Sequence, residues 1–188
     1  MAYEIVAIAS PAGSIGTLRR LFSEMPPALP IPLVCLQSFV TGVGVEDIIA
    51  RASSQGARYA CDGEAIAAGC TLFAPPGCGL VVRAGRLLAV SPAAPGGATV
   101  DRFFESVALE YGSTALALLL TGDESDGFEG GRAVKSAGGT LLVEARDGMA
   151  YSDATQVLTR THIADETLDP HALASALSRW IFNPPAGT

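Results

Sequence analysis

Four unbroken apolar runs of strand length, separated by segments of helical spacing, constrain this chain more than any other feature. They are Tyr3–Ala9 (YEIVAIA), Ile31–Gln37 (IPLVCLQ), Ala115–Leu120 (ALALLL) and Thr140–Val143 (TLLV). None alternates apolar with polar residues over its length, so each predicts a strand buried on both faces of a sheet. Between the first two, Gly16–Met25 sets Leu18, Leu21, Phe22 and Met25 at helical spacing and stops before Pro26-Pro27. Further helices are predicted over Val45–Ala52, Val100–Tyr111 and Gly127–Ala137, the last stopped by Gly138-Gly139. Asp169 and Pro170 read as a cap pair opening a closing helix, Pro170–Phe182, followed by a frayed tail at 183–188. Strand–helix alternation of this kind implies crossover connections and a parallel sheet.

The middle of the chain departs from that rhythm. Thr71–Ala74 is a short strand, and Leu80–Arg83 and Arg86–Val90 read as a hairpin joined at Ala84-Gly85. The predicted fold is therefore doubly wound α/β, with a mostly parallel sheet and an antiparallel hairpin insertion near residues 78–90. With 188 residues, no internal repeat and no dividing linker, it reads as a single domain over 1–188. Hydrophobic residues make up 49% of the chain, enough to build a core and to exclude intrinsic disorder.

Charge narrows the partners. Twelve Lys and Arg against nineteen Asp and Glu give a net charge of −7, with no basic tract to meet phosphates or an anionic membrane. No apolar run approaches the ~20 residues of a membrane span. The amino terminus has no basic segment ahead of an apolar one, so no signal peptide is visible and a cytoplasmic protein is expected. Cys35, Cys61, Cys70 and Cys78 form no CxxC pair and are read as reduced, mostly buried thiols.

In doubly wound sheets chemistry gathers at the carboxyl ends of the parallel strands. That rule selects three loops: Ser10–Ser14, Gln37–Gly44 and Thr121–Gly127. The third carries Asp123, Glu124 and Asp126 just before a helix. Such carboxylates could orient a catalytic base or ligate a metal. They could equally complement the positive end of the helix that follows, and spacing alone favours this. His162 and His171 fall outside all three loops, so no metal and no cofactor is expected.

The stretch LTGDESDGFEGG, Leu120–Gly131, followed by Ala137-Gly138-Gly139, resembles the segment around the catalytic aspartate of the CheB-type chemotaxis protein-glutamate methylesterases, which reads LTGMGxDG. Val6-Ala7-Ile8-Ala9-Ser10 resembles that family's first strand and nucleophile turn, VAIGASTGG. Asp62-Gly63-Glu64, Gly69 and Phe73-Ala74-Pro75 resemble its DGE…G…YIAP. Thr99-Val100-Asp101 with Phe104-Glu105-Ser106 resembles its SVD…FES helix. These collinear matches span roughly residues 4–178. The resemblance implies a hydrolase of receptor glutamate methyl esters, often also a glutamine deamidase, that works with a serine, a histidine and an aspartate. It also implies a chemoreceptor or another chemosensory-pathway protein as partner.

Carried over residue by residue, the resemblance places the aspartate at Asp126. The nucleophile position falls on Pro11 without a gap, or on Ser10 with one residue deleted before it and one inserted after. The second glycine of the turn becomes Ser14. The histidine of the family's VQH falls on Ser38, in Leu36-Gln37-Ser38, and a hydroxyl cannot take a proton near neutral pH as imidazole does. The methionine of LTGMG becomes Asp123, a negative charge where an oxyanion would develop. Cys35, inside a strand, has no visible base beside it. The chain opens at the domain's first strand with no receiver segment ahead of it, which implies no phosphorylation switch of the usual kind. Two readings follow. One is a non-catalytic protein-binding module. The other is an active carboxyl-ester or amide hydrolase with a rebuilt site that uses Ser10 or Ser38 with Asp126.

Overall fold

The computed structural model describes residues 2–11, 13–37, 45–52, 56–90, 98–122, 126–145 and 154–185. Seven parallel strands form the main sheet: β1 (Ile5–Ser10), β2 (Leu33–Gln37), β3 (Ala57–Tyr59), β5 (Thr71–Phe73), β8 (Ala115–Leu119), β9 (Thr140–Glu144) and β10 (Glu166–Leu168). Their order is β10-β9-β8-β1-β2-β5-β3. The four apolar runs thus become β1, β2, β8 and β9, all parallel, as expected. The chain leaves β1 toward β2 on one side and returns on the other through β8. The topological switch point therefore lies between β1 and β8, where such sheets form a crevice.

Three remaining strands, β4 (Glu64–Ala65), β6 (Gly79–Arg83) and β7 (Arg86–Val90), make a small antiparallel sheet in the order β4-β7-β6. The expected hairpin turns at Ala84 and Gly85, with φ of 48° and 71°. Positive φ at both central positions matches the twist of the flanking strands.

Both faces of the main sheet are covered because side chains alternate across it. Val6, Ile8, Leu33, Cys35, Leu118 and Leu142 face a core built with α1 (Ile15–Glu24), α2 (Val45–Arg51) and α6 (Leu173–Phe182). Ile5, Ala7, Ala9, Val34, Ala117 and Val143 face α3 (Thr99–Tyr111), α4 (Phe128–Ser136), α5 (Ala154–Arg160) and the small sheet. Among the described residues, no helix is long and apolar enough to cross a membrane.

Some boundaries move. β1 runs through Ser10, which the sequence placed in a turn, because Ser10 keeps its register with Gln37 of β2. α6 starts at Leu173 instead of Pro170. Asp169 Oδ1 accepts the His171 N–H at 2.7 Å and its carbonyl accepts the Ala172 N–H at 2.8 Å, so Asp169 closes a turn ahead of the helix. Short, partly polar α5 and β10 gave no periodic signal. All four cysteines are free, but only Cys35 is buried. Cys61 is exposed, and Cys70 and Cys78 are half-buried in turns flanking short strands.

α3 packs directly on α4, and Gly130 permits the approach. A Cβ there would stand 2.9 Å from the Asp101 Cα and 3.0 Å from the Asp101 carbonyl oxygen, both backbone atoms. Alanine would gain about 1 kcal/mol of helix propensity, but overpacking costs about 1–3 kcal/mol, and more where backbone must move. Gly130→Ala should therefore lower stability in chemical denaturation. An increase would show that the two helices separate at no cost.

Candidate functional site at the carboxyl edge of the sheet

Ser10 ends β1, beside the switch point, and is buried together with Ser14. Their hydroxyls lie 2.6 Å apart. Ser14 Oγ donates to the Pro11 carbonyl at 2.7 Å, and the Ser14 N–H meets the same oxygen at 3.2 Å. A hydroxyl has one proton. Since Ser14 spends its proton on Pro11, Ser10 must donate to Ser14. The Ser10 proton thus points along a relay that ends on a backbone carbonyl, with no base in it.

Asp126 follows β8, on the other side of the switch point. Its Oδ2 accepts the Val100 N–H at 2.8 Å and its Oδ1 accepts the Asp101 N–H at 2.9 Å. Those are the second and third N–H groups of α3, the ones a capping side chain satisfies. Ala98, at the cap position of α3, has no side chain able to do so. The exchange is mutual: Asp101 Oδ1 accepts from Gly127 N at 3.0 Å and Gly130 N at 2.7 Å, capping α4 in return. Burial holds Asp101 above its ordinary carboxylate value. The Gly130 N–H opposes that, and the neighbouring Asp126 charge adds to it. So Asp126 does complement a helix start, but that of α3, 26 residues upstream, not of the helix it precedes.

A carboxylate that sequence reasoning passed over lies at the same edge. Glu144 ends β9 and is buried. Its Oε1 accepts from Thr17 Oγ1 at 2.9 Å. Its Oε2 accepts from the Thr121 N–H at 2.8 Å and from Thr121 Oγ1 at 3.0 Å. It ties the first turn of α1 to the loop after β8. The available signal was a charge closing an apolar strand, in register with core positions.

On the β2 side of Ser10, a shallow cleft opens at the ends of β2, β3 and β5. Gln37, Val45, Glu46, Tyr59, Pro75 and Pro76 line it. Tyr59 donates its hydroxyl to Glu46 Oε1 at 2.8 Å, and this bond holds Glu46 below its ordinary value. Burial, then the same bond, push Tyr59 up to about 12 from 10.0. Because the folded-state value is the higher, neutral Tyr59 favours the fold below pH 10 and that contribution is lost as pH rises through about 12. Burial and the Glu4 and Glu110 charges also raise Tyr111, so a tyrosinate absorbance titration should show both tyrosines ionising late, and Glu46→Gln should shift the Tyr59 step alone partway back. An unmoved titration would mean burial alone is responsible.

The remaining candidates separate clearly. Ser38 and Asp123 lie outside the described residues. His162 sits in the turn after α5, at the amino end of the sheet, where its neighbour Asp165 bonds Leu141 at the start of β9. His171 follows the edge strand β10 and pairs with Arg20 of α1, with β9 and β8 between it and β1. Burial pushes the Cys35 thiol far above its ordinary value, which removes it as a nucleophile. The structure thus brings Ser10 and Asp126 to the ends of neighbouring strands but gives each separate partners.

A family model described as CheB methylesterase matches residues 6–177. A protein-glutamate methylesterase/protein-glutamine glutaminase 4 of Myxococcus xanthus is 33% identical over 179 residues, covering 93% of this chain and 51% of that protein. A corresponding protein numbered 3 in Anaeromyxobacter dehalogenans is 32% identical over 183 residues, covering 94% and 54%. The chain thus spans about half the length of these curated relatives. Among solved structures, the methylesterase catalytic domain of Thermotoga maritima CheB superposes with a TM-score of 0.77 at 25% identity, over 94% of this chain and 98% of that one.

Proposed function

This chain belongs to the CheB methylesterase family, and we propose that within it the chain is a non-catalytic member, a protein-binding module of a chemosensory pathway. Its partner is a chemoreceptor or another protein of that pathway. The observation that carries the reading is the direction of the Ser10 proton. In a serine hydrolase the nucleophile donates to a base that can keep the proton. Here Ser10 donates to Ser14, which is itself committed to the Pro11 carbonyl. The family's histidine position is Ser38, and a second hydroxyl there supplies no base either.

Asp126 supports the same reading. The family uses this aspartate to hold the tautomer of its base; here both oxygens serve the backbone of α3. Keeping the aspartate therefore needs no catalysis to explain it. The ester- or amide-hydrolase alternative would need an imidazole or an equivalent base beside Ser10 or Ser38, and both histidines have other places.

Binding tests the module directly. The cytoplasmic fragment of a methylated chemoreceptor, titrated against this protein in a calorimeter, should give a saturable complex. Ser10→Ala should leave its affinity within about twofold, the scale of a surface-neutral change. No complex with receptor or with other purified pathway proteins would overturn the reading.

A further inference from the structure

Resting on the binding-module reading, we propose that the cleft at the ends of β2, β3 and β5 receives a cationic lysyl or arginyl side chain of the partner polypeptide. Three features of its wall point to this. Glu46 presents a carboxylate that the Tyr59 hydroxyl fixes from one side at 2.8 Å. Tyr59 adds an aromatic ring to the same wall, and a cation is attracted both to a carboxylate and to an aromatic face. Pro75 and Pro76 supply apolar surface, backed by buried Val45 and Ala74, which suits the methylene stem of a long basic side chain.

A fourth feature, behind the wall, is a donor without a strong acceptor. Gln37 lines the cleft, and its buried Nε2 has no oxygen or nitrogen acceptor among the described residues, only the weakly accepting Cys35 sulfur beside it. A buried N–H group left unpaired is costly, and a partner carbonyl would satisfy it. A basic residue within a polypeptide brings both halves at once: a cation for Glu46 and a backbone carbonyl for Gln37. The cleft is shallow and open to solvent, so it offers a wall for one side chain to lie against, not a site for a folded element. The chain's net charge of −7 favours approach of a basic segment over an acidic one.

The probes are N-acetyl-L-lysine methylamide and N-acetyl-L-arginine methylamide, titrated into the isotope-labelled full chain and followed by NMR. N-acetyl-L-norleucine methylamide and the citrulline analogue are the uncharged controls. The cationic probes should shift the Gln37 side-chain amide, Tyr59 and Gly77 at millimolar concentration, and added salt should weaken the effect. Glu46→Gln should weaken it roughly three- to tenfold. Tyr59→Phe keeps the ring but frees Glu46, and should weaken it less. The proposal is overturned if the uncharged probes shift the same signals equally, if Glu46→Gln changes nothing, or if the cations act elsewhere on the surface. The two readings fail separately. A protein that binds receptor but ignores these probes loses only this cleft. One that hydrolyses receptor esters loses the module reading and keeps the cleft.

Discussion

Replacing Asp126 with alanine is expected to lower stability by about 2–4 kcal/mol, far more than a merely catalytic carboxylate would. The carboxylate satisfies two N–H groups at the start of α3, from Val100 and Asp101. Losing a capping acceptor costs about 0.5–2 kcal/mol, and each partly buried donor left unpaired adds about 1–3 kcal/mol. For a chain this long the melting temperature should fall by about 5–15 °C. Asp126→Asn keeps one oxygen acceptor and should lose roughly half as much. Because Asp101 caps α4 in exchange, Asp101→Ala should be comparably damaging, and the double variant should be non-additive. Urea denaturation of the three single variants checks this. A loss below about 1 kcal/mol for Asp126→Ala, under the range for a lost cap with unpaired donors, would show that α3 does not depend on it.

The second large effect is on rate. Relative to a family member with an intact triad, hydrolysis of receptor glutamate methyl esters should be slower by at least about 10⁴-fold. On the proposed reading, the absence of a base accounts for about 10²–10⁴. An Asp123 carboxylate where the resemblance puts the family's methionine would oppose a developing oxyanion and account for a further 10²–10³ or about 2.7–4 kcal/mol. Rebuilding should reverse the loss only in combination. Ser38→His with Asp123→Met still leaves the Ser10 proton directed at Ser14. Residues 9–14 must also be rewritten as Gly-Ala-Ser-Thr-Gly-Gly, which removes Pro11 and the Ser14 hydroxyl together. Turnover should appear in the full combination and not in Ser38→His alone.

What could be read from the sequence divides along physical lines. β1, β2, β8 and β9 were legible because burial on both faces leaves an unbroken apolar run. The Ala84-Gly85 turn was legible from Gly85, which takes positive φ freely, while Ala84 at φ 48° carried no such signal. Leu173 as the start of α6 was not, because Asp169 and Pro170 suit a turn as well as a cap. At the proposed site, the resemblance puts Ser38 where the family has its base, and a hydroxyl there cannot act as imidazole. Identity could not disclose what replaces it. The relay from Ser10 to Pro11 depends on which way two hydroxyls point, and the exchange of caps between Asp101 and Asp126 joins residues 25 apart. Glu144 follows the apolar run Thr140–Val143, and nothing local shows that Thr17 and Thr121 close over it. Such contacts are tertiary and leave no local pattern.

The central claim is that Ser10 has no catalytic role, and one measurement tests it most directly. Purified protein and its Ser10→Ala variant are incubated with a methyl-labelled chemoreceptor fragment, and released methanol is counted. Methanol should accumulate no faster than in the receptor-only control, or at an equally low rate for both proteins. Turnover approaching that of ordinary family members, abolished by Ser10→Ala, would contradict the claim and require a working base beside Ser10.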